Sequence, residues 1–330
     1  MRLLIFIMWL LHWLPMPILG RFGEAIGSLL FVAMRRRRRI ALTNLRLCMP
    51  ELKEAERKTI AKQHFQGYAR SVLERSLLWW ASEARLRRLM VVEPEVPVAA
   101  FEAGPTILLC PHFVNLDVAG IAISLQASVC SMYSRQRSKV FDDALRKGRM
   151  RFGEIKLVSR NEGIKPIIRA MRSGLPFFML PDMDFGAKDA EFVPFFGTPA
   201  ATLTAPARIA GATGAKVIPV IATYLPNYRG WKIKFYPAWE NYPGGDIVAA
   251  TRYMNAFIEE RVREAPSEYF WAHKRFKTRP PGVPGIYNKT DPDTIQAEEL
   301  NLGTDSEIRG IDSAADKVAA SPDGVERQQL

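Results

Sequence analysis

The stretch Ile107-Leu108-Leu109-Cys110, opened by Thr106 and stopped by Pro111, is apolar on both faces. A short run of that kind reads as a strand buried on both sides, as in a sheet covered by helices. Proline cannot continue the ladder, so His112 emerges at the strand's carboxyl end, where open α/β sheets gather their chemistry. Residues 118–125 then read as a helix, which puts Asp117 near its first turn. From about residue 104 the same alternation repeats, the pattern of an α/β domain. Further strands are expected at 128–133, 175–180, 216–224 and 231–236, and helices at 117–126, 140–150, 163–173, 204–213 and 247–264. Before them, residues 51–90 read as helical, with Ala61, Phe65, Tyr68 and Val72 making one apolar face. Trp79 and Trp80 fit either the core or a membrane interface.

His112 and Asp117 are the first candidates for catalysis. A neutral imidazole can take a proton from a hydroxyl, and a carboxylate can orient the ring and stabilise the imidazolium. Positions five apart do not share a helix face, so the pair requires His112 to lie in the turn before the helix. The ordinary alternative is a satisfied histidine at a strand end. Pro181-Asp182-Met183-Asp184 repeats the pattern after the 175–180 strand. Asp182 and Asp184 could ligate a metal, but no further ligand cluster accompanies them. Holding an arginine or a substrate hydroxyl, or capping a turn, are plainer roles. Arg135 and Arg137 lie just past a strand end, where guanidinium groups can clamp phosphate or an oxyanion. Arg149 belongs to a helix that also carries Arg146 and Lys147, with Arg151 just beyond. Lys274 and Arg275 belong to the basic run 273–279, which suits phosphate, nucleic acid or lipid headgroups. Phe192-Val193-Pro194-Phe195-Phe196-Gly197 reads as an aromatic loop that can admit an acyl chain or simply pack in the core.

Charge narrows the class of partner. Residues 1–287 carry 42 Lys and Arg against 24 Asp and Glu, whereas residues 288–330 carry 4 against 10. The basic body expects anionic partners. The acidic, aromatic-poor tail has the composition of a disordered segment. Three scattered cysteines give neither a disulfide framework nor a zinc pattern. No G-x-S-x-G elbow, Walker A loop or G-x-G-x-x-G fingerprint is present. At the amino terminus, residues 3–19 are nearly all apolar, broken by His12, Pro15 and Pro17, a second apolar stretch covers 26–34, and Arg35 to Arg39 follow. Charge after the apolar core, not before it, suggests an uncleaved anchor with the arginines on the cytoplasmic side. A buried hairpin helix of a soluble protein is the alternative.

Taken together these motifs resemble a known family. His112 to Asp117 is similar to the H-x4-D/E motif of glycerolipid-type acyltransferases. Asp182 to Gly186, Phe192 to Gly197, residues 265–280 and residues 44–51 narrow the resemblance to the late-acting lipid A biosynthesis acyltransferases of the lauroyl/myristoyl type. It runs over about residues 1–287. It implies an α/β fold with a mixed, largely parallel central sheet flanked by helices and an amino-terminal anchor. Four parts are expected: 1–34 as membrane anchor, 35–100 as a helical region, 101–287 as the acyltransferase domain and 288–330 as the tail.

The resemblance also implies an acyl carrier protein thioester as donor and a lipid A precursor of the Kdo2-lipid IVA type as acceptor, at the cytoplasmic face of the inner membrane. By it, His112 is the general base and Asp117 its orienter. Asp182, Asp184, Arg135 or Arg137, Arg149, Lys274 and Arg275 would serve substrate binding, with no metal or other cofactor and no nucleic acid. Two rival readings remain at this stage. One is transfer to a lysophospholipid or glycosylated phospholipid. The other is a non-enzymatic surface that binds anionic lipid or RNA through its charge.

Overall fold

The computed structural model describes residues 1–93, 101 and 104–287. Its centre is a seven-stranded sheet in the order β1-β9-β8-β2-β5-β3-β4. The strands are β1 (Met90–Glu93), β2 (Thr106–Leu109), β3 (Val129–Tyr133), β4 (Ile155–Ser159), β5 (Phe177–Met179), β8 (Lys216–Tyr224) and β9 (Trp231–Phe235). All neighbours pair parallel except β8 and β9. The largely parallel, mixed sheet expected from the sequence is therefore present. A separate antiparallel hairpin, β6 (Ala190–Phe195) with β7 (Thr198–Leu203), occupies the stretch read as an aromatic loop. The turn is made at Phe196 and Gly197, both with positive φ. The apolar residues gave no clean alternation there, which is why the strands escaped notice. β4 also escaped, because as an edge strand it carries the exposed Lys156.

Alternate residues of the central strands feed opposite faces of the sheet, as the two-residue period requires. Ile107 and Leu109 enter one core with Phe177, Met179, Ile167 and Ile258. Leu108 and Cys110 enter the other with Phe178, Val220, Leu77 and Trp231. Helices cover both faces. The first core takes side chains from α3 (Arg35–Cys48), α8 (Lys165–Arg172), α9 (Ala205–Thr213) and α10 (Ile247–Glu264). The second takes them from α5 (Glu83–Leu89), α6 (Leu116–Ser124) and α7 (Lys139–Arg149). The 27-residue α4 (Glu54–Trp80) contributes to both. Ala61 and Phe65 are buried as the sequence pattern asks, and Trp79 is a core residue packed on Gly148 of α7.

At the amino terminus the chain breaks at His12 to Pro15, where the apolar run is interrupted, between α1 (Arg2–Leu11) and α2 (Met16–Ala33). Prolines 15 and 17 start α2 instead of interrupting α1, the position where proline is tolerated. Arg85 holds the break by donating to the carbonyls of His12 and Leu14. α2 is long and apolar enough to cross a membrane by length and composition; α1 is shorter. The outer side of α2 exposes Ile18, Phe22, Leu29 and Val32. Its inner side carries Gly20, Gly23 and Gly27, which let it close onto α4 and Tyr228. A Cβ on Gly27 would stand 2.4 Å from the Gln66 Cα and 2.5 Å from the Phe65 carbonyl oxygen. Polar bonds finish the seam: the Tyr228 hydroxyl donates to Glu24 at 2.7 Å, and Gln66 Nε2 donates to the Ser28 hydroxyl at 2.8 Å.

A polar chain runs from this seam into the body. Arg70 on α4 lies 3.5 Å from Glu24 and 3.1 Å from Glu74, with its guanidinium 3.8 Å above the Tyr224 ring. Glu74 also accepts from the Trp231 indole at 3.1 Å. Next to this group, Glu268 accepts from the Tyr224 amide at 3.0 Å and from the Asn115 side chain at 3.2 Å. Its backbone carbonyl accepts from the Val114 amide at 2.8 Å. Glu268 thus fixes the segment between His112 and Asp117.

Two outcomes follow. Gly27→Ala forces backbone apart, so it should lower unfolding free energy by about 1–3 kcal/mol, read by thermal melts in detergent. Leu29→Ala on the exposed side should leave the melt nearly unchanged. Burial pushes the Glu268 carboxyl up to about 7. Between its ordinary value of 4.5 and about 7, the folded protein keeps a proton that the unfolded chain has lost. Stability from this group is therefore lost as pH rises through that window. The Tm of Glu268→Gln relative to the parent should rise from pH 5 to pH 8; a constant difference contradicts the reading.

Candidate active site

β2 and β5 lie side by side in register, Leu109 opposite Met179. Three residues beyond each stand His112 and Asp182, and each is preceded by a proline. Equal offsets from a paired rung bring the two side chains together at the carboxyl edge of the sheet. The His112 Nδ1 lies 2.7 Å from Asp182 Oδ1, and the His112 amide donates to both carboxylate oxygens at 3.1 and 3.0 Å. An ionised carboxylate only accepts, so Nδ1 carries the proton and Nε2 presents its lone pair. Among the described residues nothing hydrogen-bonds Nε2. The segment 268–270 straps the loop down, with the Phe270 amide donating to the His112 carbonyl at 2.9 Å.

Asp182 is nearly inaccessible. Burial alone would raise its carboxyl, but His112 and its two hydrogen bonds hold it below the ordinary value. Beyond it, the Asp184 amide donates to His273 Nε2 at 3.1 Å. Burial lowers that imidazole to about 4, so His273 is neutral and serves as an acceptor.

Asp117, expected to orient the ring, bonds two arginines instead of the imidazole. Arg75 of α4 meets it at 2.7 Å and Arg149 of α7 at 2.7 Å. Burial opposes the charge, yet the two guanidinium groups hold the carboxyl far below the usual carboxylate range. Asp117 sits in the first turn of α6, where the helix dipole also favours a negative charge. The sequence could not show this, since Arg75 and Arg149 lie 42 and 32 positions away. The repeated strand–proline–acid pattern was the available signal for Asp182.

The remaining sequence candidates divide. Asp184 accepts from the Gly186 amide and from the Thr278 amide and hydroxyl, at 2.9, 2.6 and 2.8 Å. Arg275 is buried, donating to the Ala201 carbonyl and the Thr202 hydroxyl at 2.9 and 2.7 Å, with its guanidinium 5.0 Å from the Phe195 ring centre. Both hold the carboxyl-terminal segment to its loop and hairpin. Arg149 is shared with Asp117. Arg135 and Arg137 are exposed beyond β3, and Lys274 lies 5.3 Å from the Tyr287 ring. Arg37 donates to the Ala272 carbonyl at 3.0 Å, which joins the five-arginine block to the basic run 273–279. No cluster of metal-ligating side chains exists among the described residues.

His112 opens onto a cavity of about 300 Å³. Its walls are mostly apolar, including Met132, Ile164, Phe178, Met179, Leu203 and Ile209. At its rim Arg160 lies 4.0 Å over the Phe185 ring, a cation the sequence did not single out. A base with a free lone pair beside a hydrocarbon-lined cavity suits proton removal next to an apolar chain.

Comparison with known proteins agrees with this chemistry. The profile of a family described as bacterial lipid A biosynthesis acyltransferase matches residues 1–278. The chain is similar to the lipid A biosynthesis lauroyltransferase of Escherichia coli (strain K12), with 30% identity over 285 residues, 85% of this chain and 92% of that protein. It is also similar to the palmitoleoyltransferase of the same strain, at 29% over 85% of this chain and 92% of the other. The myristoyltransferase of that strain is 32% identical over 83% of this chain and 84% of its own length. With a largely parallel sheet carrying His112 at its edge and this match over most of its length, the chain belongs to the bacterial lipid A biosynthesis acyltransferase family.

Proposed function

We propose that this protein moves a fatty acyl chain from an acyl carrier protein thioester to a hydroxyl of a lipid A precursor of the Kdo2-lipid IVA type. The observation that carries the mechanism is the His112–Asp182 pair at the mouth of the apolar cavity. The acceptor hydroxyl gives its proton to His112 Nε2 as its oxygen attacks the thioester carbonyl. Asp182 keeps the ring in the required tautomer and stabilises the imidazolium. The tetrahedral intermediate collapses with cleavage of the C–S bond, and the imidazolium proton goes to the departing sulfur. Arg160 is the guanidinium on the cavity rim and the candidate to stabilise the oxyanion. The chain's own residues supply each proton movement, and no covalent acyl-enzyme is required.

Charge and apolar surface support the choice of partners. Arg35, Arg36, Arg37 and Arg39 are exposed, Arg37 bonds the Ala272 carbonyl, and none pairs with a carboxylate among the described residues. Such a surface attracts an acidic carrier protein and the phosphates of the acceptor. It follows directly on α2, whose outer side is apolar. This order fits an anchor in the inner membrane with the basic surface and the active site on the cytoplasmic side. Arg149, together with Arg75, places a net positive charge near the site for a substrate phosphate. Arg135, Arg137 and Lys274 are accessible for the same task.

Substitutions separate the roles. His112→Ala should reduce kcat by about a hundredfold to ten-thousandfold while the protein stays folded and membrane-bound. Near-normal transfer by that variant refutes the mechanism. Asp182→Asn keeps the shape but can donate to the ring, so kcat should fall at least about a hundredfold. Asp117→Asn leaves two arginines without their carboxylate. Its main effect should be a lower Tm, from a loss of about 3–5 kcal/mol. The reverse ranking, with Asp117→Asn inactive but stable and Asp182→Asn active, would restore Asp117 as the orienting group. In a deletion strain, mass spectrometry should show lipid A lacking one secondary acyl chain. Unchanged lipid A with altered phospholipids would instead assign a different lipid acceptor.

A further inference from the structure

A second cavity lies on the other side of Met132, Phe178 and Leu180, the three side chains it shares with the cavity that holds His112. Its volume is about 60 Å³. By that measure it would hold on the order of four water molecules. Leu116 and Gly120 of α6 form one wall, and Val129, Ile155, Leu157 and Phe178 of the sheet form the other. In the sheet wall Val129 pairs with Ile155 and Ser131 with Leu157. Ser131 also lines the cavity, but its hydroxyl donates to the Phe178 carbonyl at 2.9 Å, so that polar atom is already satisfied. Asp117 and Arg149, bonded to each other, are its charged lining. The rest of the lining is apolar and suits hydrocarbon.

The sequence supports the space with one residue. Gly120 sits inside α6, where glycine weakens a helix relative to alanine by about 1 kcal/mol. Its backbone gives no conformational reason for glycine, because its φ is not in the left-handed region. A Cβ there would meet only the Phe178 ring, at 3.6 and 3.9 Å, which is ordinary contact. What glycine does at this position is leave the cavity open.

We propose that this cavity receives the distal methylenes of the transferred acyl chain, and that Gly120 with Leu157 sets how many fit. The inference rests on the acyl-transfer reading above. The occupant is the donor's chain and not one of the acceptor's, because Met132, Phe178 and Leu180 line both this space and the cavity beside His112. There the thioester carbonyl must lie. A chain that fills the first cavity and passes Met132 and Leu180 would lie between Gly120 and Leu157. A longer side chain at 120 narrows that space, and a shorter one at 157 widens it.

The test is a competition among saturated acyl carrier thioesters from decanoyl to palmitoyl, with purified full-length protein and the tetra-acylated precursor. The variants are Gly120→Ala, Gly120→Met and Leu157→Ala. Gly120→Met should move the preferred donor to a shorter chain, with kcat/KM for longer donors falling about fourfold for each excluded methylene. Leu157→Ala should move it to a longer one, and Gly120→Ala should give a smaller shift in the same direction as Gly120→Met. Should Gly120→Met fail to fold, the other two still decide the matter, since alanine at 120 favours the helix. An unchanged donor profile in folded variants overturns the proposal, as does a shift in preference among acceptors with no shift among donors. Absence of transfer from every thioester by the parent protein would refute the acyl-transfer reading itself, an outcome distinct from an active parent with an unaltered profile.

Discussion

The bond between Asp182 and His112 is the contact around which the working end of the molecule is arranged. It needs two loops to leave the sheet at the same height, and the register of β2 against β5 supplies that. One carboxylate meets two hydrogens in three contacts, the His112 amide hydrogen forked between both oxygens and the ring hydrogen on one. The amide fixes the backbone from which the ring projects, and the ring bond fixes the tautomer. A buried carboxylate is tolerated there because every partner is aimed at it. His273, neutral and accepting from the Asp184 amide, keeps the next turn of that loop in place without adding a charge beside the imidazole.

Around this bond the fold separates two tasks that both use acidic residues. Asp182 bonds the imidazole and the amide of His112. Asp117, at the start of α6, ties α4 and α7 to the catalytic loop through Arg75 and Arg149. α4 is also the helix on which α2 closes, through three glycines and the Glu24–Arg70 pair. One long helix therefore touches the apolar amino-terminal segment at one place and the catalytic loop at another. The apolar segment is packed into the body along its inner side and cannot act as a loose tether.

Much of the fold was legible. The strands at 106–110, 128–133 and 216–224 and the helices at 204–213 and 247–264 appear within two residues of their expected bounds. Each is a strongly apolar run or a strongly periodic one bounded by turn residues. The places that were misread lack such a signal. β4 is an edge strand that mixes Lys156 with apolar neighbours, and the β6–β7 hairpin is too uniformly apolar to alternate. At the amino terminus His12, Pro15 and Pro17 mark the interruption of the apolar run 3–19, but nothing local shows that Arg85, more than 70 positions away, holds it.

By itself the sequence determined that a buried strand ends in proline and histidine, that an α/β sheet follows, and that the body is basic. Those properties are local, carried by side-chain pattern and by what proline forbids. Only the tertiary structure decided which carboxylate serves the histidine. That choice depends on which strands are neighbours in the sheet, and neighbours in a parallel sheet are separated by whole crossover connections in the chain. The same reason explains the rest. Arg75 and Arg149 met Asp117, Arg275 met the β6–β7 hairpin, Arg37 met the carboxyl-terminal basic run, and Gly120 acquired a cavity, all through contacts between residues that no short-range spacing relates.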